Sequence, residues 1–245
     1  MASVKSNRPL FLIEFLILTF LLILIHIKAN CQESRDFTVR AGESVTDVLP
    51  LKEIYLYPEF TKGKAVNRNG TSNEGLFNYN IINGEIQFIG SRRDTLAVLN
   101  PGLVSYFTVA SDTFYFNKGY YRKIAGNKKF MLAAMQYTKL ADVRKEGPYG
   151  TTTSTSAVDS YSTLISDNHA GIYKLRLNVE TIFSMRCDYY FGNPDDGFFL
   201  AKKNNLLKMF PDQENRIKQY LKNESIRFNN KEDLIKLMKF IGSLK

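Results

Sequence analysis

The chain has 245 residues, of which 44% are hydrophobic, 13% aromatic and 23% charged, and lysine and arginine outnumber aspartate and glutamate by 33 to 24. This apolar fraction excludes a wholly disordered chain, and the length suits one large domain or two small ones. The only histidines are His26 and His169, and the only cysteines are Cys31 and Cys187. Chemistry that depends on clusters of these side chains is therefore severely restricted.

The first 31 residues have the pattern of a secretory signal peptide, because a short basic region precedes an apolar run. The small residues Ala29 and Cys31 lie at the minus-three and minus-one positions of a cut before Gln32. Two alternatives stay open. In the first, residues 10–27 are just long enough to span a bilayer, so the segment is retained as an anchor. In the second, the chain is a lipoprotein and Cys31 is its lipidated residue, although the residues before Cys31 match that signal poorly. Each interpretation places most of the chain outside the cytoplasm.

Removal of this segment leaves one histidine and one cysteine, His169 and Cys187. That count excludes a zinc site with four cysteine or histidine ligands, and it predicts no disulfide framework. The remaining chain stays basic, which predicts either an ordinary solvated surface or attraction to anionic lipid or polysaccharide. Export makes nucleic acid an unsuitable partner.

The central part of the chain predicts an antiparallel β meander. Short apolar alternating runs follow one another at even spacing, with turn residues between them. The pair Asn83–Gly84 predicts a tight hairpin, since both central residues of such a turn need positive φ. The predicted strands cover residues 76–81, 85–89, 95–99, 103–110, 113–117, 120–125, 129–137, 172–179, 182–191 and 198–200.

Residues 147–166 are rich in glycine, serine and threonine and predict a long exposed loop, which is either a tolerated insertion or a functional loop. After Lys202 the apolar period changes to that of helices. Pro211 ends the first predicted helix, Asp212 caps the second, and Asn229 or Asn230 caps the third. The expected organisation is a signal peptide or anchor over 1–31, a β-rich domain over 32–201 and a helical cap over 202–245. The fold class is α+β, mainly an antiparallel β meander with a small C-terminal helical subdomain.

Sequence patterns for catalysis are weak. The chain has no nucleophile elbow and no phosphate-binding loop, and Cys187 in an apolar run is more typical of packing than of a dyad with His169. Asp195–Asp196 follows Asn193 in a turn, which favours turn chemistry over calcium binding. Glu232–Asp233 favours a helix start. We therefore assign no catalytic, cofactor-binding or metal-binding residue. A hydrolase with an Asp/Glu- or Ser-based site stays an alternative, which one cleft that holds Asp195, Asp196 and His169 would support.

Two surfaces are candidates for binding. The first is a set of aromatic residues interleaved with basic ones, which predicts a sugar- or peptide-binding face, although most aromatic residues of a meander belong to the core. Its members are Tyr106, Tyr115, Tyr120, Tyr121, Lys118, Arg122 and Lys123. The second is the last helix, whose apolar face predicts packing against the sheet or, alternatively, contact with a membrane. Its basic residues are Lys231, Lys236, Lys239 and Lys245.

Seven segments together resemble uncharacterised exported β-rich proteins of Gram-negative bacteria, over roughly residues 61–244. The segments are 77–80 with 84–89, 94–97, 112–116, 145–150, 204–208 and 231–237. The resemblance implies export and continuity of one family through the helical tail. It implies no activity, so no site residue is transferred.

These patterns predict an exported cell-envelope or secreted protein that binds or scaffolds and is not an enzyme. The expected partner is an envelope protein or a polysaccharide, without a cofactor. The compartment is the periplasm, the outer surface or the medium, and the alternative is a membrane tether through residues 10–27. A basic surface that binds anionic lipid or polysaccharide is the third hypothesis.

Overall fold

The computed structural model describes residues 34–146, 152–154 and 177–244. The predicted signal segment, His169 and most of the predicted loop lie outside these residues. All described residues belong to one compact unit within Gln32–Lys245. In the part of the chain that the structure describes, no helix combines the length and apolarity needed to cross a membrane.

One antiparallel sheet of twelve strands forms most of the structure, which confirms the predicted fold class. The main path runs β1-β11-β9-β8-β7-β6-β2-β3-β4-β5, while β10 pairs with β9 and β12 pairs with β11. Strands β6 to β9 follow one another as a meander, but β1 joins the far edge through β11. The strands are β1 (Arg35–Val39), β2 (Thr61–Asn67), β3 (Ser72–Asn80), β4 (Glu85–Ile89), β5 (Thr95–Ala97), β6 (Val104–Val109), β7 (Asp112–Phe116), β8 (Tyr120–Gly126), β9 (Met131–Glu146), β10 (Thr152–Ser154), β11 (Glu180–Asn193) and β12 (Gly197–Leu200).

The predicted β3–β4 hairpin is confirmed, but its turn is longer than expected. Four residues separate the strands, and of these only Gly84 has positive φ, at 65°. The reason lies in Asn80, whose Oδ1 accepts hydrogen bonds from the backbone N–H groups of Ile82 and Asn83, both at 3.0 Å. The Asn80 side chain thus satisfies backbone N–H groups that a four-residue turn would otherwise leave without a partner.

Strand β9 is longer than predicted, since it continues to Glu146. Its last three residues pair with β10, so residues 152–154 of the predicted loop are strand. Threonine suits extended backbone, and pairing satisfies its peptide groups. The predicted strand over 172–179 is not extended at its described end, because β11 begins only at Glu180.

Alternation along the strands gives the sheet an inner face, which carries the core, and an outer face. Phe77, Phe107, Phe114 and Tyr120 are buried on the inner face. The sheet curls so that Tyr79 of β3 reaches across this core. Its ring stacks on Phe114 at 5.6 Å, and its hydroxyl donates a hydrogen bond to the backbone oxygen of Gln136 in β9.

A second core cluster lies beside β1 and the two short helices that follow it, α1 (Val45–Val48) and α2 (Leu51–Ile54). Phe37 of β1 stacks on Phe183 of β11 at 5.3 Å. The remaining members are apolar residues from α1, α2 and their neighbours, which fix the entering chain against the sheet. They are Val39, Val45, Leu49, Ile54 and Ile82.

Three helices close the chain: α3 (Lys203–Met209), α4 (Glu214–Asn223) and α5 (Lys231–Ser243). Asn230 caps α5 as predicted, because its Oδ1 accepts a hydrogen bond from the N–H of Asp233 at 2.9 Å. The prediction that Asp212 caps the second helix is wrong, since Asp212 lies within a 3₁₀ turn and α4 begins at Glu214.

Helix α5 contacts β8 and β9, which confirms packing against the sheet. The residues that it buries are Leu234, Leu237, Met238 and Ile241. Its first turn carries Asp233, whose carboxylate pairs with Arg227 at 2.9 Å. The hydrogen bond from Arg227 lowers the pKa of Asp233 below its ordinary value. The acidic pair Glu232–Asp233 therefore belongs to a helix start and not to a catalytic cleft.

Candidate binding face

The outer face of the sheet carries a row of tyrosines that runs across neighbouring strands; Tyr106 and Tyr115 are partly exposed, and Tyr121 is buried. Tyr106 lies opposite Val66 of β2, and Tyr115 of β7 lies opposite Tyr121 of β8. The rings of Tyr106 and Tyr115 are 6.3 Å apart between centroids. Met135 continues the row in β9 opposite Asp188 of β11. Each strand therefore contributes one side chain to a line that crosses the sheet.

More aromatic residues flank the end of this row at β11 and β12. Tyr137 lies opposite Arg186, and Tyr190 lies opposite Ala133, in the same register as the row. Tyr121 stacks on Phe198 of β12 at 4.2 Å, and it meets Tyr190 edge to face at 5.1 Å. We call this set the tyrosine face, and its members are Tyr106, Tyr115, Tyr121, Tyr137, Tyr190 and Phe198.

At the centre of the tyrosine face, Met135 packs closely against Gly119. The side chain of Met135 lies over Gly119, where an added Cβ would collide with the Met135 methyl group. Gly119, which directly precedes β8, therefore leaves room for the flexible end of the Met135 side chain. Tyr115 and Tyr121 lie opposite each other on the same face.

Polar groups at one end of the tyrosine face are arranged around Asp188. The hydroxyl of Tyr137 donates a hydrogen bond to Asp188 Oδ2 at 2.8 Å. Burial, and then this hydrogen bond, raises the pKa of Tyr137 to about 12, and burial with the nearby Asp188 charge raises the pKa of Tyr190 to about 12. Both phenols are therefore protonated donors at neutral pH. The Nε of Arg186 is buried and has no hydrogen-bond partner.

The predicted face was correct for only part of its members. Tyr106, Tyr115, Tyr121 and Lys123 do share the outer face, because they have the same parity in β6, β7 and β8. Lys118 lies in the turn between β7 and β8 and is exposed. Its φ of 56° marks that turn.

Tyr120 and Arg122 do not belong to the predicted face, since both are buried on the inner face. Arg122 pairs there with Asp112 at 3.4 Å, and the hydroxyl of Tyr57 donates a hydrogen bond to the same carboxylate at 2.6 Å. A buried guanidinium needs such a partner, because an unpaired charge is costly away from water. Because side chains alternate along β8, Tyr120 and Arg122 lie on the inner face, whereas Tyr121 and Lys123 lie on the outer face.

Cys187 lies in β11 and is disulfide-bonded. The sequence-based expectation of a packing cysteine without a disulfide is therefore wrong. No second cysteine occurs in the described ranges, so the bonding partner lies outside them. The alternative of a dyad with His169 rests on a residue outside the described part of the chain.

The turn between β11 and β12 holds the other predicted acidic pair. The backbone N–H groups of Asp195 and Asp196 donate hydrogen bonds to Asn193 Oδ1 at 2.9 and 2.8 Å, and the Asn193 amide donates to Asp196 Oδ2 at 2.8 Å. Turn chemistry accounts for these residues, as predicted. Among the residues that the structure describes, no three histidine, cysteine, aspartate or glutamate side chains are grouped so that they could hold a metal ion.

Sequence reasoning missed half of the tyrosine face, namely Tyr137, Tyr190 and Phe198, together with Arg186 and Asp188. Alternation within each predicted strand indicated two faces, but it did not show which strands are neighbours. The β9–β11 pairing joins residues about 50 positions apart, such as Tyr137 and Arg186, and no local signal specifies that register.

Comparison of the chain with protein-family models, with curated proteins and with solved structures returns no match. The function is therefore argued from the tyrosine face itself.

Proposed function

We propose that the protein is an exported, non-enzymatic binding module of the cell envelope and that the tyrosine face is its binding surface. The observation that carries this proposal is the cross-strand row of tyrosines on the outer face. Tyr106, Tyr115 and Tyr137 stay partly exposed there, while the inner face of the same strands has a complete aromatic core. The exposed rings are thus not needed to build the core.

Tyrosine rings are well suited to binding. Each ring offers a large apolar surface with few rotatable bonds, and its hydroxyl adds a hydrogen bond at the edge. A tyrosine hydroxyl is uncharged at physiological pH even at its ordinary pKa of about 10, and burial raises the pKa of Tyr137 and of Tyr190 further, to about 12. A contiguous set of such rings on a sheet marks an interaction site more often than a random surface does.

Two observations support export. The first 31 residues have the basic and apolar pattern of a signal peptide. Cys187 is disulfide-bonded, and disulfides persist mainly in oxidising compartments such as the periplasm or the extracellular space. The sequence has one other cysteine, Cys31, so a disulfide within the chain supports export in a form that retains Cys31 and not in the form cut before Gln32.

The binding proposal is tested with the double variant Tyr106→Ala/Tyr115→Ala and with Tyr220→Ala as matched control. Tyr220 stacks on Phe240 at 3.9 Å between helices α4 and α5, so it is an aromatic pair outside the sheet. We expect the wild type and the control to co-sediment with a washed cell-envelope fraction, and the double variant to stay in solution. Equal co-sedimentation of all three would overturn the proposal.

Export is tested by fractionation of native cells and by intact mass. A mature chain without the N-terminal segment, found outside the cytoplasm, supports the proposal, whereas a full-length chain in the cytoplasm contradicts it. A full-length chain at the membrane would instead indicate the retained anchor. The sequence has only two cysteines, and Cys187 is disulfide-bonded. The intact mass therefore also shows whether the mature chain retains Cys31, the one cysteine with which Cys187 can pair within the chain.

A further inference from the structure

The disulfide of Cys187 needs a second cysteine. Cys187 lies in β11 and is disulfide-bonded, and none of the described cysteines has a free thiol. The sequence has one other cysteine, Cys31, which comes four residues before Arg35, the first residue of β1. Within one chain Cys31 is therefore the only partner available. A bond between two chains is the alternative that a test has to separate.

The strand pairing brings the start of β1 close to Cys187. β1 runs antiparallel to β11, and Arg35 lies opposite Met185, two residues before Cys187. β12 pairs with the same side of β11, but only from Tyr190 onward. In the part of the chain that the structure describes, no strand pairs with residues 186–189 on this side. The chain therefore enters β1 at the gap in which Cys187 lies.

The length and the parity of the entering chain both favour this bond. Four residues of extended chain span about 13 Å, whereas the Cα atoms of a disulfide lie about 4.4–6.8 Å apart. If the register of β1 continued beyond Arg35, residue 33 would lie opposite Cys187. Cys31 has the same parity as residue 33, so the register assigns both cysteines to one side of the strand pair.

We propose that Cys31 and Cys187 form a disulfide that holds the start of β1 on β11, and that Cys31 therefore stays in the mature chain. The two thiols lose two protons and two electrons when the S–S bond forms. A second disulfide, that of a small thiol compound or of an exported oxidoreductase, accepts them and is reduced to two thiols. An oxidising compartment keeps the new bond intact.

This bond separates the forms that the N-terminal segment allows. A cut before Gln32 removes Cys31 and leaves Cys187 without a partner in its own chain. Lipidation of Cys31 places its sulfur in a thioether, so that sulfur is not available to Cys187. The disulfide is compatible with a retained anchor through residues 10–27 or with a cut upstream of Cys31. It therefore excludes the lipoprotein and the cut before Gln32.

The test is alkylation of the protein in native cells before lysis, so that no bond forms during purification. The purified chain is then denatured, alkylated again and analysed by intact mass and by peptide mapping without reduction. We expect both cysteines to be alkylated only after reduction, and one cross-linked peptide to contain Cys31 and Cys187. A Cys187 thiol that reacts without reduction, a chain that begins at Gln32, an acylated Cys31 or a covalent dimer would overturn the inference.

Cysteine variants show whether the two residues act as a pair. Cys31→Ser, Cys187→Ser and the double variant should lower the urea midpoint of unfolding by the same amount, because each removes the same bond. Hydrogen exchange should become faster in β1 and stay unchanged in β6 and β7. Reduction of the wild type should reproduce these changes, and the same reductant on the double variant is the control. Additive losses would overturn the pairing, and if a variant does not fold, alkylation of the wild type decides.

The outcome is distinguishable from that of the proposed function, on which the inference rests only for export. If the cross-linked peptide is found but the tyrosine double variant still co-sediments with the envelope, the disulfide stands and the binding function is wrong. If the chain is exported with a reduced Cys187, export stands and the disulfide is wrong. A full-length cytoplasmic chain with two free thiols would overturn both.

Discussion

Tyr120 and Tyr121 are neighbours in β8, yet they face opposite sides of the sheet. Tyr120 packs edge to face on Phe107 at 5.8 Å and on Phe116 at 5.0 Å within the core. Tyr121 contacts Tyr190 and Phe198 on the outer face, and it is also buried, at 8% exposed against 4% for Tyr120. The parity of each tyrosine in the strand therefore decides which rings it packs against.

Charged residues repeat this difference. Arg122 is buried on the inner face, where Asp112 and Tyr57 form a closed group around one carboxylate. Arg186 lies on the outer face and keeps an Nε without a partner. The Nε of Arg122 is likewise buried without a hydrogen-bond partner, so the two arginines differ in the ion pair that Arg122 makes with Asp112 and not in the state of their Nε groups. Variants that compare the two faces can therefore break this interpretation.

Alkaline pH should give the largest effect, because it acts on all inner tyrosines together. Burial raises the pKa of Tyr79, of Tyr120 and of Tyr57 above the ordinary value of about 10. Above that pH the unfolded chain has released these protons and the folded chain still holds them. The free energy of unfolding therefore falls as pH rises. Urea unfolding at pH values from about 8 to about 12 measures the free energy of unfolding on both sides of the ordinary tyrosine pKa. A free energy that stays constant across this range would contradict the burial of these tyrosines.

Truncation of one aromatic residue on each face of β7 is the next test. Phe114→Ala removes a fully buried ring and should lower the free energy of unfolding by about 4 kcal/mol through lost burial and a cavity. Tyr115→Ala, one residue further, should cost less than about 1 kcal/mol. Chemical denaturation of the two variants gives the comparison. Similar losses would show that the outer ring is also part of the core.

The buried ion pair should respond more strongly than the outer carboxylate. Asp112→Ala leaves the Arg122 guanidinium buried without its partner and should destabilise the protein by about 3 kcal/mol. The double variant Arg122→Met/Asp112→Ala should recover part of this loss, because no buried charge remains. Asp188→Ala on the outer face is the matched control, and its expected cost is less than about 1 kcal/mol. An equal cost for both aspartates in thermal unfolding would contradict the difference between the faces.

Local signals predicted the strands well and their neighbours poorly. The alternation in 103–110 and in 113–117 placed β6 and β7, and Asn230 fixed the start of α5. β1 was missed, although Phe37 and Val39 alternate with polar residues there, because five residues give a weak pattern. Its position depends on pairing with β11, nearly 150 residues away. Non-local register was likewise needed to bring Arg186 to Tyr137, so the sequence predicted part of the binding face and not its polar end.

The smallest effect on stability should come from the exposed ion pair beside the tyrosine row. Lys64→Gln removes the partner of Glu74, whose side chain is 77% exposed, so the free energy of unfolding should change by less than about 0.5 kcal/mol. The unfolding curve should therefore stay the same, which urea unfolding measures. A loss of more than about 1 kcal/mol would place Lys64 with the inner residues and would contradict the division between the face that carries the core and the face that stays partly exposed.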